Sequence, residues 1–385
     1  MDLCITKGKR KILLILLAAS AVFASGCISS DNSEEIAKTS ETVTETEPAT
    51  TTATVTTTET FKQEIPSFKW ETGKPQEHGL EEKKLEELHD MLKGSETFSM
   101  LTVKDGVIVD EFYNDGYSAD STFPFHSCSK SVTGTLVGIA LEQGYIDSID
   151  DPISKYIKQA QELSDKRKGE ITIRNLLTNE SGLDWDEWNS YDVWNQFRSS
   201  PDWVEFILGR ELVYDPGTHF TYSTGNTHLL SALLQSATGK NQLEYAREVL
   251  FDPLGMESVA WGADPQGITD GGNGIVMTPR DAARFGQMCL QNGVWQEKQI
   301  VPSEWLRESV TPKNSGYEDL NGSYGYQWWM RDYKGYDMYY AYGFGGQYIF
   351  IVPELDLVNV ITGNNPSQSY KARECFTEYL LDALV

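Results

Sequence analysis

The sequence predicts an α+β fold: an antiparallel sheet assembled from both ends of the folded chain and flanked by helices, with a mostly helical insertion between them. Three observations carry this prediction. Strand-patterned segments cluster at about 99–112 and again at 325–362. The stretch 145–290 reads as helical pieces joined by loops heavy in Trp, Asp and Gly. A patterned helix over 127–143 connects the first strands to that insertion.

Before the fold begins, the first 27 residues read as an export signal. Lys7, Lys9, Arg10 and Lys11 precede an uncharged apolar run of thirteen residues, Ile12 to Ala24. A bilayer-spanning helix needs roughly 20 residues, so the run suits a signal core better than a permanent anchor. It ends in Ala24-Ser25-Gly26-Cys27, which resembles a prokaryotic lipoprotein box and makes Cys27 the candidate for lipidation. The expected location is the outer face of the cytoplasmic membrane through that lipid, or secretion if cleavage is ordinary.

Residues 28–65 follow as a Thr- and Glu-rich tether with almost no large apolar side chains. Such a segment buries too little surface to offset chain entropy and is expected to stay disordered. The folded domain is then 66–385, divided into a sheet subdomain (66–145 and 291–385) and a helical subdomain (146–290).

Within it, Leu85, Leu88 and Leu92 among charged residues predict a surface helix near 80–91. Strands are predicted at 99–103 and 107–112, turned by Lys104-Asp105-Gly106. The helix at 127–143 carries Val132, Leu136, Ile139 and Ala140 on one face and is followed by Gly144. A second helix runs from Gly225 through Leu233 and Leu234. Late strands are predicted at 325–331, 338–341, 346–352 and 357–362, with a closing helix at 371–383.

Composition narrows the function. The chain of 385 residues carries a net charge of −25, becoming −28 once the signal is removed, so a nucleic-acid partner is disfavoured. Ten Trp and nineteen Tyr supply core and pocket material. The five His (78, 89, 126, 219, 228) show no zinc-binding spacing, and no cofactor or metal is expected. Cys128, Cys289 and Cys375 are too few and too scattered for a disulfide framework.

The chemistry begins at Ser127-Cys128-Ser129-Lys130, the single Ser-x-x-Lys in the chain. Spacing i, i+3 on a helix puts the hydroxyl and the amine on one face. Serine needs a base to become a nucleophile, and lysine serves only when burial or positive potential lowers its pKa. Further on, Tyr222 sits in Phe220-Thr221-Tyr222-Ser223 at a helix start, placed to relay a proton. Tyr342-Gly343-Phe344-Gly345-Gly346-Gln347 opens a late strand. Its glycines would let a substrate approach the backbone, and a main-chain N–H there could pair with that of Ser127 as an oxyanion hole. Trp185, Glu187, Trp188, Tyr191 and Trp194 follow Gly182, either as a pocket wall or as a core cluster of the insertion. His126, His219 and His228 read as packed structural histidines.

These landmarks, with Ile171-Thr-Ile-Arg-Asn-Leu-Leu-Thr-Asn-Glu-Ser-Gly182 and Leu250-Phe-Asp-Pro-Leu-Gly-Met256, resemble the serine β-lactamase and D,D-peptidase-related superfamily. The branch they resemble is the class C-like esterases and 6-aminohexanoate-oligomer hydrolases. The resemblance covers about 70–385 and implies a β-lactamase/transpeptidase-like fold. It implies Ser127 as the acylated nucleophile, Lys130 as general base and Tyr222 as second proton-transfer group, with the amides of Ser127 and Phe344 holding the oxyanion. Trp185, Glu187, Trp188, Asn226, Tyr342, Gly343 and Gly345 become candidate pocket residues. Two departures bear on the substrate. The usual Tyr-x-Asn has Thr224 in third place, with Asn226 two further on, and the Lys/His-Thr-Gly element falls on Ala341-Tyr342-Gly343.

Without that cation, efficient β-lactamase activity is disfavoured, and a small-molecule ester or non-standard amide is the expected substrate. The rival readings are a D-amino-acid or cell-wall peptide hydrolase (or weak β-lactamase), and a surface binding protein with a decayed site. A conventional α/β-hydrolase lacks its Gly-x-Ser-x-Gly elbow here.

Overall fold

The computed structural model describes residues 68–317 and 321–385. The signal, Cys27 and the whole of the tether lie outside the described residues. Among the described residues no helix is long and apolar enough to cross a membrane.

An eight-stranded antiparallel sheet forms the base of the fold. Its strands run, edge to edge, 107–113, 97–104, 357–363, 347–352, 336–343, 329–333, 322–324 and 314–317. The first strand pair inserts beside the last strand of the chain, with Leu101 opposite Val360, so the two chain ends close one sheet. Strands Gln347–Val352 and Leu357–Gly363 are buried at every position. Their sequences are apolar on both faces because helices cover both. On one side Ile349, Ile351, Val358 and Val360 share a core with Phe285 and Met288 of the helix Pro279–Leu290. On the other, Phe350, Val352 and Ile361 pack with Leu85 and Leu88 of the helix Glu82–Leu92 and with Phe376 and Leu380. The helix Pro279–Leu290 can lie this close because Gly286 faces Val358 without a side chain.

The insertion is mainly helical, as expected, with one addition that matters for the site. The short strand Ile275–Met277 pairs with Phe123–Pro124 on one side and Ala260–Trp261 on the other to make a three-stranded ribbon. Near its centre, Phe125 N donates to Ile275 O at 2.9 Å.

Other boundaries shift for identifiable reasons. The strand expected from 325 begins only at Trp329. Gln327 takes a left-handed backbone (φ 67°), and its buried amide donates to Leu176 O and Leu177 O while accepting from Thr227. One side chain thus ties two helices to the start of the strand Trp329–Tyr333 and keeps that segment out of the ladder. Strands 314–317 and 322–324 went unpredicted because three or four residues carry too little alternation. The closing helix is broken into Tyr370–Glu374, a π segment Cys375–Leu380 and a final 3-10 turn.

Candidate active site

The helix Ser129–Glu142 runs through the molecule with nearly every side chain buried. Gly134 and Gly138 give room for Gln327 and for the Trp305 indole. Its entrance is sharply bent. His126 adopts a left-handed backbone (φ 48°), a conformation that is costly for a non-glycine and persists only when its surroundings enforce it. Here Ser129 Oγ donates to His126 O at 2.6 Å, Ile275 N donates to Ser129 Oγ at 3.2 Å, and Asn273 Oδ1 meets the His126 ring at 3.4 Å. The bend leaves Ser127 at the mouth of a cavity of about 420 Å³. Burial lowers the His126 pKa, against the Asn273 contact.

Lys130 is buried and its nitrogen has three neighbours: Thr224 Oγ1 at 2.7 Å, Gly272 O at 2.9 Å and Ser127 Oγ at 3.1 Å. The first two can only accept. Gly272 O has no proton, and the Thr224 hydroxyl proton is committed to Glu187 Oε1 at 2.8 Å. A neutral Lys130 therefore spends its two N–H groups on them and turns its lone pair to the Ser127 hydroxyl. Glu187 is held in turn by Thr224 N at 3.1 Å and by Trp185 Nε1 at 2.7 Å. Desolvation lowers the Lys130 pKa to about 8, with Glu187, Asp270 and Cys128 pulling the other way. Of the two causes that the sequence left open, burial is the one that lowers it most. Cys128, beside the nucleophile, is wholly buried and its thiol is pushed up by burial, so it is no competing thiolate.

The helix Thr224–Thr238 starts with Ser223 as N-cap, its hydroxyl accepting from Asn226 N at 3.1 Å. That cap fixes the direction of Tyr222 just upstream. The Tyr222 phenol faces Ser127 closely enough to interact with it, and its ring centroid lies 4.8 Å from Lys130 Nζ. Burial raises the phenol pKa well above the ordinary value, so it stays protonated. Hydroxyl, amine and phenol thus converge.

Trp188, Tyr342 and Phe344 line the same cavity with Tyr191 and Trp194. Phe344 is among the exposed aromatics, its ring edge-on to both His126 and Tyr191 at 6.1 Å. Trp185 does not join the wall. It packs against Phe197 and Phe206 beneath it and fills the space beside Gly225. Asn226 is buried on its helix and donates to Asn179 Oδ1 at 3.1 Å. The glycines of the 343–346 turn answer a different need from substrate approach. A side chain on Gly343 would meet Phe125 O at 2.3 Å, while Gly345 and Gly346 hold positive φ. His228 pairs with Asp264 in the interior at 3.1 Å, and His219 stacks on Tyr214.

Sequence reasoning passed over Gly272, Asn273 and Asp270. Nothing in their spacing marks them, since only the ribbon 275–277 brings them to Ser127.

The Beta-lactamase family model matches residues 92–380. The chain belongs to this family. Among curated relatives, the 6-aminohexanoate-dimer hydrolase of Paenarthrobacter ureafaciens is 26% identical over 300 residues, covering 72% of this chain and 75% of that protein. Among solved structures, a Bacillus anthracis protein assigned to the 6-aminohexanoate-dimer hydrolases superposes with a TM-score of 0.69 at 24% identity, covering 83% of this chain and 87% of that one. EstCE1, a hydrolase with promiscuous acyltransferase activity, superposes with a TM-score of 0.65 at 16% identity over 78% of this chain and 97% of that one. This member of the Beta-lactamase family is a serine hydrolase with a β-lactamase/transpeptidase-like fold, as the sequence landmarks implied.

Proposed function

We propose that Ser127 is the acylated nucleophile, Lys130 the base that takes its proton, and Tyr222 the group that returns a proton to the leaving atom. The observation that carries this reading is Lys130 Nζ at 3.1 Å from Ser127 Oγ with its other two hydrogen-bond directions already spent. The amides of Ser127 and Phe344 are the proposed oxyanion donors. Attack on a carbonyl forms the acyl-enzyme and expels the alcohol or amine. Water then adds, and release of the acid restores Ser127.

The proposed substrate is a small carboxylic ester or non-standard amide without an anionic group near the reacting carbonyl. The cavity is walled largely by aromatic rings, and among the described residues the one formally charged side chain lining it is the Glu187 carboxylate. An anionic substrate would face a carboxylate with no guanidinium or ammonium lining the wall to pair with, losing about 1.5–3 kcal/mol of charge-assisted hydrogen bonding. The 6-aminohexanoate-dimer hydrolase and the promiscuous acyltransferase named above support the hydrolytic part of this reading. Lipidation of Cys27, which would hold the domain at a membrane surface, belongs to the same proposal.

Intact-mass detection of an adduct across a panel of acyl donors tests the reading. A single adduct on Ser127, abolished in Ser127→Ala, is expected. Turnover that survives in Ser127→Ala would overturn it.

A further inference from the structure

Asp270 is a buried carboxylate that the chemistry above does not use. Its Oδ2 is ion-paired with the Arg198 guanidinium, and its Oδ1 has no hydrogen-bond partner among the described residues. Two residues further on, Gly272 O accepts from Lys130 at 2.9 Å, so Asp270 and the base share one short loop. Arg198 comes from elsewhere, on the helix Asp192–Ser199. There its guanidinium carbon sits 4.2 Å from the Trp203 ring centroid and 5.4 Å from that of Trp194. Trp194 belongs to the cavity wall. The pair therefore links a wall element to the loop beneath the base.

We propose that Arg198 is a positioning residue for Lys130: by ion-pairing the buried Asp270 it screens that carboxylate from the lysine, and so couples the seating of the Asp192–Ser199 wall helix to the ability of Lys130 to take the Ser127 proton. This rests on the assignment of Lys130 as base. The groups facing Lys130 are Glu187 from the loop before that helix, Asp270 from the 270–274 loop, Cys128 from its own element, and the Tyr222 ring ahead of the helix Thr224–Thr238. Of these, Glu187 is held by Thr224 and Trp185, whereas Asp270 depends on an arginine carried by the cavity wall. With Arg198 in place, much of the Asp270 charge is neutralised. With the wall helix lifted, a bare buried carboxylate faces Lys130, favours the ammonium form and idles the base.

The test is the pH profile of kcat/KM for a neutral nitrophenyl ester, measured on the whole enzyme. Arg198→Gln is expected to move the acidic limb upward by about half a pH unit or more, lowering the rate below the limb about threefold. Arg198→Lys should retain the wild-type limb. Arg198→Gln combined with Asp270→Asn should return the limb to the wild-type position or below. Asp270→Asn alone, which keeps size and a hydrogen bond to Arg198, should move the limb downward and serves if Arg198→Gln does not fold. A limb left in place in Arg198→Gln or in Asp270→Asn, or a double variant as displaced as Arg198→Gln, would overturn the proposal. Failure of the underlying assignment shows separately, as a wild-type profile that is flat from pH 6 to 10 and so has no acidic limb to move.

Discussion

Lys130 Nζ lies 2.7 Å from Thr224 Oγ1, whose own proton goes to Glu187 Oε1 at 2.8 Å. The direction of that chain matters more than its length. A threonine donating to Glu187 must accept from the lysine, and a lysine so engaged aims its lone pair at Ser127. Thr224→Val, which keeps the shape and removes the relay, should lower kcat about 10- to 100-fold, in keeping with about 1.5–3 kcal/mol for a hydrogen bond to a charged group. Thr224→Ser should stay within a few-fold of wild type. Steady-state kinetics on a neutral ester decides the matter, and equal losses in the two variants would remove the relay from the mechanism.

The same nitrogen predicts the response to pH. Burial brings Lys130 to about 8, and only the unprotonated amine can accept the Ser127 proton. The rate of acylation should therefore rise tenfold per unit as pH climbs toward about 8 and level off above it. Tyr222, raised by burial, keeps its proton across that range and adds no descending limb there. Burst-phase acylation rates from pH 6 to 10 check this; a flat profile would mean that Lys130 is not the base.

Tyr222→Phe separates the phenol's chemistry from its packing. Its ring stacks on Trp329 at 5.6 Å and meets Trp188 edge-on, contacts that phenylalanine preserves. Loss of the hydroxyl alone should cost about 100-fold in kcat with KM little changed, the usual worth of a positioned proton-transfer group. An equal loss in KM and none in kcat would make Tyr222 a binding residue.

How much of this was legible in the sequence follows from the range over which each interaction acts. Ser127 and Lys130 lie on one helical turn, and Tyr222 precedes a helix with a readable Ser223 cap; local spacing reveals such groups. The paired strands 97–104 and 107–113 are two apolar-rich runs joined by the turn Lys104-Asp105-Gly106, a local hairpin signal. Gly272 and Asp270 reach the base through Phe123–Pro124 pairing with Ile275–Met277, a contact between two- and three-residue strands about 150 positions apart that no local pattern announces. Trp185 shows the converse. Its place in an aromatic run suited either wall or core, and only the Gly225 hollow beneath the site makes it core. Likewise, Gln327 breaks a strand that the sequence favoured because its amide binds two helices the sequence does not join.

Charge preference follows from the cavity wall. A carboxylate placed on the acyl chain of a nitrophenyl ester would find the Glu187 side chain and, among the described residues, no cationic lining partner. Relative to the methyl ester of the same compound, kcat/KM should fall at least about tenfold, a difference of about 1.4 kcal/mol. Competition assays between the two donors at fixed ionic strength measure it directly. A preference for the acid would instead call for a cation delivered to the mouth.

The turn at Gly343 ties stability to catalysis most tightly. Gly343 ends the strand Tyr336–Gly343, opposite Gln347. The atom it must clear is Phe125 O, which a methyl group would approach to 2.3 Å. Backbone cannot yield as a flexible side chain does, so Gly343→Ala must push apart the end of this interior strand and the bend that presents Ser127. The cost should reach about 1–3 kcal/mol of stability, as for other overpacked sites. The activity loss should exceed what the unfolded fraction explains, because the same displacement separates Phe344 from Ser127. Gly335→Ala is the control: it also sits in a turn, at positive φ, but with open space around it, and it should destabilise through backbone strain while sparing kcat. Denaturant melts paired with active-site titration distinguish the two. A Gly343→Ala enzyme with native kcat per titrated site would show that the 343–346 turn lies outside the catalytic geometry.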